Sequence, residues 1–105
     1  MLLITKEILG KLPKLGATSE LDAKDIKVPL KLFNPCGAQS WFITEYDSEE
    51  KLAFGYVTGM QFDELGYISI SELESINLPF GLKIERDIHW NMNNTLREVM
   101  EKTKI

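Results

Sequence analysis

A chain of 105 residues has room for one ordinary domain with one core, and not for two. Its 44% hydrophobic and 27% charged residues place it among soluble globular proteins, and a single cysteine, Cys36, excludes an intramolecular disulfide and any multi-cysteine zinc site. The formal net charge of −4 gathers in the middle: residues 41 to 87 hold ten acids against three bases, which argues against nucleic-acid binding, where Lys and Arg must neutralise phosphates.

The first apolar run, Met1-Leu2-Leu3-Ile4, meets Lys6 and Glu7 at once. It is too short for a signal-peptide core or a membrane span and points to a cytoplasmic protein without membrane contact. Thr5 can cap a helix from about Lys6 to Lys11, with Ile8 and Leu9 as its apolar positions, ended by the Leu12-Pro13 step. Residues 15 to 24 read as a loop with room for one helical turn. From Asp25 to Phe33 the pattern alternates, which predicts a strand with Ile26, Val28, Leu30 and Leu32 on one face and Lys27 and Lys31 on the other. Pro29 inside that run predicts a sheet edge or a kink.

After a turn at residues 34 to 38, three strands follow in succession: Trp41 to Tyr46, Leu52 to Thr58 and Gly66 to Ile70. The polar link of residues 47 to 51 is short enough to close an antiparallel hairpin between the first two. Simple alternation puts Trp41 and Ile43 on one face, and Phe42, Thr44 and Tyr46 on the other. Gly55 either leaves room for a large ring across the strand or marks a bulge. Gly59 to Leu65 reads as a loop carrying Asp63 and Glu64. Ser71-Glu72-Leu73-Glu74 fits a capping box opening a brief helix, and Leu82 to Trp90 reads as another extended segment. Thr95 is an N-cap for a last helix, Leu96 to Lys102, with Leu96, Val99 and Met100 on one face. Together these elements predict a single α+β domain, 1–105, with an antiparallel sheet of four or five strands and the N- and C-terminal helices packed on one face.

The succession Trp-Phe-Ile-Thr-Glu-Tyr-Asp at 41–47, Phe54-Gly55-Tyr56-Val57, Leu65 to Glu74 and Ile84 to Trp90 resembles a small bacterial family known only as a domain of unknown function. The N-terminal stretch Leu2 to Leu15 resembles it too, so the likeness covers most of the chain. One departure is Trp90, where the family leads one to expect Phe. The resemblance implies a bacterial setting on plasmids and integrative mobile elements, and it brings no activity and no catalytic residues.

The densest polar cluster is Glu85-Arg86-Asp87-Ile88-His89. In an extended segment Glu85, Asp87 and His89 would share a face, where two carboxylates and an imidazole could hold a divalent metal or work as acid and base. Against that stands the single His, which leaves no second imidazole for a metal. A structural network of hydrogen bonds and ion pairs, or a partner contact, is the commoner use of such a cluster. Arg86, among Glu74, Glu85 and Asp87, could pair two carboxylates at once. Cys36 and His89 could form a nucleophile and base oriented by Asp87, although a lone Cys in a Pro-Cys-Gly turn is more often a small filler. The many aromatics serve packing first and protein recognition second.

The sequence therefore points to a non-enzymatic, acidic, protein-binding accessory module of a mobile element, with Glu45, Asp47, Glu49, Glu50, Arg86 and Trp90 as partner contacts. No catalytic residue, metal or cofactor is assigned. An inhibitor that offers acids to the basic cleft of a host-defence nucleoprotein machine is one form of this reading. The alternative is a small metal- or His-dependent enzyme using Glu85, Asp87 and His89.

Overall fold

The computed structural model describes residues 2–102; Met1 and residues 103–105, which the expected domain includes, lie outside the described residues. Five strands, β1 (Leu30–Phe33), β2 (Ser40–Asp47), β3 (Leu52–Thr58), β4 (Glu64–Ser69) and β5 (Glu85–Arg86), make one antiparallel sheet in the order β4-β3-β2-β1-β5. Three α-helices accompany it among the described residues: α1 (Lys6–Leu9), α2 (Ile70–Ser75) and α3 (Leu96–Lys102). The α+β class and the antiparallel sheet are as expected. So is the central hairpin, in which Trp41 lies opposite Val57 and Asp47 opposite Leu52. The Asp47 carboxylate accepts the Glu49 N–H at 3.0 Å and so fixes the turn.

The alternation read from the sequence slips phase at two places. At Pro29 the expected single face divides: Ile26 and Val28 pack with Phe42, Tyr56, Leu96 and Val99, whereas Leu30 and Leu32 pack with Trp41 and Ile43. Proline has a fixed φ and no N–H for a ladder, so β1 begins only after it. The chain before it is tied instead to the approach to α3, by the Val28 N–H to the Asn94 carbonyl and the Leu96 N–H to the Ile26 carbonyl, both 2.8 Å. The second slip is a bulge in β2 between Ile43 and Glu45. The extra residue, Thr44, returns Tyr46 to the face of Trp41 and Ile43, opposite to the expected side. It also aims Glu45 at the face of Phe42. Gly55 stands against this bulge because a Cβ there would fall 2.0 Å from the Phe42 carbonyl oxygen.

Both sheet faces therefore carry a core. Ile8 of α1 and Ile70 and Leu73 of α2 join the Trp41 face; Leu96 and Val99 of α3 join the Phe42 face. The terminal helices accordingly lie on opposite faces, a correction to the one-sided packing expected, and the phase slips are the reason: each face has enough apolar area to need its own cover.

Two helix starts also refine the reading. The α2 cap is Ser69, whose hydroxyl accepts the Glu72 N–H at 3.2 Å, two residues before the expected Ser71. The helix thus grows directly from the end of β4. At α3, Thr95 caps as expected, and Glu98 reciprocates: Thr95 Oγ1 accepts the Glu98 N–H at 3.2 Å while the Glu98 carboxylate accepts the Thr95 N–H at 3.3 Å.

Candidate functional site

The cluster at residues 85–89 does not form an extended row. Glu85 and Arg86 pair with β1, opposite Phe33 and Leu32, and the Asp87 N–H makes the last bond to it, to the Lys31 carbonyl at 3.0 Å. The chain then turns, with the Asp87 carboxylate accepting the His89 N–H at 3.0 Å and the Asp87 carbonyl accepting the Trp90 N–H at 3.2 Å. The same carboxylate lies 3.7 Å from the Lys31 ammonium. Asp87 is thus committed to a turn and an ion pair, and His89 is exposed. No group of three His, Cys, Asp or Glu side chains suited to a metal converges among the described residues. Cys36 is exposed in its own turn, its thiol 4.0 Å from the Pro79 carbonyl and its N–H on the Asn34 side-chain oxygen at 2.7 Å.

The six residues expected at a partner surface scatter. Glu45 is buried, only 4% exposed. Its carboxylate accepts the Gly16 N–H at 2.7 Å, the Thr18 N–H at 2.9 Å and the Thr18 hydroxyl. Burial pushes this carboxyl up, but the Thr18 hydroxyl and the two N–H donors outweigh it and hold Glu45 below its ordinary value. Trp90 is half-buried: its ring N–H donates to the Val28 carbonyl at 2.7 Å and its ring lies 5.6 Å from that of Phe42. The Lys31 ammonium sits 5.7 Å from both ring centres. Among the described residues Arg86 meets no carboxylate; it donates to the carbonyls of Leu2 at 2.7 Å and Leu3 at 3.3 Å. Asp47 is half-buried at the hairpin turn, and Glu49 and Glu50 project from that turn into solvent.

A different surface gathers the features of a binding site. β4 is an edge of the sheet, and its backbone orientation follows from two bonds. The Ile70 N–H donates to the Lys51 carbonyl at 3.0 Å, so alternate residues Ile68, Gly66 and Glu64 continue the ladder to β3. Opposite Tyr67, the Phe54 carbonyl is taken from the β2 side by the Thr44 hydroxyl at 3.1 Å. The N–H and C=O groups of Leu65 and Tyr67 therefore face away from the sheet. Around them lie Met60, Phe62, Leu65 and Tyr67, of which Phe62 and Tyr67 are 70% and 71% exposed. Two grooves run beside this strand. One, of about 590 Å³, lies on the Trp41 face between β4 and α2, bordered by Met60, Phe62, Ile68 and Leu73. The other, of about 410 Å³, lies on the Phe42 face, bordered by Leu21, Phe54, Leu65 and Leu96, with Tyr67 edging both. The charged residues at the rim are acidic, Asp63 and Glu64 at the start of β4 and Glu72 just past its end.

The sequence pattern hides this surface because Met60 and Phe62 sit in what reads as a polar loop. Large apolar residues outside any helical or strand period were the one signal available. No curated protein and no solved structure matches the chain. A family model does match, over residues 3–105, and the chain belongs to that family, described as Protein of unknown function (DUF2958).

Proposed function

We propose that this domain is a non-enzymatic protein-binding module that serves as an accessory of a bacterial mobile element. The observation that carries the binding role is the exposed apolar run of Met60, Phe62, Leu65 and Tyr67 along one sheet edge. Contiguous apolar surface on a small domain is costly to leave in water and marks interaction sites. Commitment of Asp87 to a turn and to Lys31 weighs against an acid–base pair with His89. The mobile-element setting rests on the resemblance noted from the sequence. Inhibition of a host nucleoprotein machine is the finer form of the reading, supported by the acids Glu49, Glu50, Asp63, Glu64 and Glu72, all exposed.

The test is affinity capture from a bacterial lysate with the wild-type domain and with His89→Ala, followed by purification of the captured protein and calorimetry. A protein that binds both forms equally, at micromolar or tighter Kd, is expected. Absence of any saturable partner, or a turnover activity abolished by His89→Ala, would overturn the proposal.

A further inference from the structure

We infer that the β4 edge takes an extended, basic segment of a partner protein as an added strand; this rests on the protein-binding reading above and gives it a place and a chemistry. The outward N–H and C=O groups of Leu65 and Tyr67 form a short template of the kind that strand addition uses. β4 itself, Glu64 to Ser69, carries neither the lysine nor the proline that commonly guards an exposed edge.

The second observation is that the grooves come in a pair. An added strand sends successive side chains to opposite faces, so it needs a receiving surface on each side of the edge. The grooves of about 590 Å³ and 410 Å³ flank the same strand, one on each face. Gly66 keeps the first open, since a Cβ there would meet nothing within 4 Å. A helix or a small ligand would occupy one groove and leave the other unused.

Charge selects the occupant. Asp63, Glu64 and Glu72 rim the edge, and neither groove is lined by Lys or Arg. The complementary segment carries alternating apolar residues flanked by Lys or Arg. A second copy of this chain would bring the same three acids against themselves, a repulsive pairing.

The probe is a displayed library of short random peptides selected on the whole domain, with the recovered peptides remade synthetically and titrated by fluorescence anisotropy. The selected peptides are expected to alternate apolar residues between Lys or Arg, and to slow hydrogen exchange at the Leu65 and Tyr67 amides. Two variants localise the binding. Gly66→Val fills one groove while its side chain suits a strand, so binding should weaken about tenfold with no fall in urea midpoint. Leu65→Pro removes an outward donor that β3 does not use and should weaken binding by about the same factor. Peptides or a lysate partner that bind wild type and both variants alike would overturn the edge assignment while leaving the protein-binding reading intact. Failure of both the library and the lysate to yield any binder would remove both. A concentration-dependent dimer lost in Leu65→Pro would make the occupant a second copy and overturn the basic-peptide assignment.

Discussion

The carboxylate of Glu45 accepts the backbone N–H of Gly16 at 2.7 Å, pinning a loop 29 residues upstream to the middle of the sheet. Thr18 adds two more donors to the same buried group. Because these bonds hold the folded carboxyl below its ordinary value, Glu45 contributes stability that is fully present above the unfolded-state pKa and is lost as pH falls through the folded one. Glu45→Ala should cost about 1.5 to 3 kcal/mol at neutral pH, the range for hydrogen bonds to a charged group. Urea midpoints followed into acid should converge for wild type and variant; a constant gap would show that the charge is not what matters.

Gly55 and Gly66 face each other in the β3–β4 ladder, and they should respond oppositely to a methyl group. At Gly55 the Cβ would lie 2.0 Å from the Phe42 carbonyl oxygen, a backbone atom that cannot move without opening the bulge. Gly55→Ala should therefore cost about 3 kcal/mol, at the upper end of overpacking. Gly66→Ala meets open space and should be neutral or stabilise by about 0.5 to 1 kcal/mol through the unfolded chain. Denaturant melts of the two variants side by side provide the check.

The parts of this fold that were legible in the sequence are those governed by local rules. Thr5 and Thr95 announced their helices because a hydroxyl before an apolar turn has few other uses. The β2–β3 hairpin was legible because two aromatic-rich runs flank a short polar link. What misled was the assumption that a period of two persists. Pro29 and the Thr44 bulge each shift the phase by one residue, and a one-residue shift exchanges the two faces of a sheet. That is why Tyr46 lies in the Trp41-face core rather than beside Phe42, and why Leu30 parts from Val28 to join it. The site suffered in the same way. Glu45 looked like one acid among many until the bulge turned it inward, and the edge character of β4 depends on strand order, which local pattern does not contain.

The acidic surface predicts indifference to DNA. Ten acids stand against three bases in residues 41 to 87, and burial of Glu45 removes only one of them from the surface. At physiological salt the domain should leave a fluorescent DNA duplex unshifted in a gel even at micromolar protein. A retarded band whose intensity falls steeply with added salt would contradict this.

Arg86 is expected to act on folding through the N-terminal segment. Its guanidinium donates to the carbonyls of Leu2 and Leu3, and the Leu3 N–H is held in turn by the Glu74 carboxylate at 3.4 Å. Leu3 itself is 1% exposed and packs in the Trp41-face core, so Arg86 and Glu74 together seat an apolar anchor that the chain would otherwise have to order unaided. Arg86→Ala should cost about 1 to 2 kcal/mol, because the part-buried Leu3 carbonyl and the more exposed Leu2 carbonyl both lose a charged donor. Arg86→Lys should recover part of this, since both bonds come from one guanidinium nitrogen and an ammonium keeps the charge, while lacking the rigid geometry that places that nitrogen between the two carbonyls. Glu74→Gln should loosen the same anchor, and its effect should not add fully to that of Arg86→Ala, as two groups acting on one residue are coupled. Urea midpoints and the exchange rate of the Leu3 amide are the measurements. Coincident midpoints for wild type and Arg86→Ala would free Arg86 from this role and return it to the surface as a partner contact.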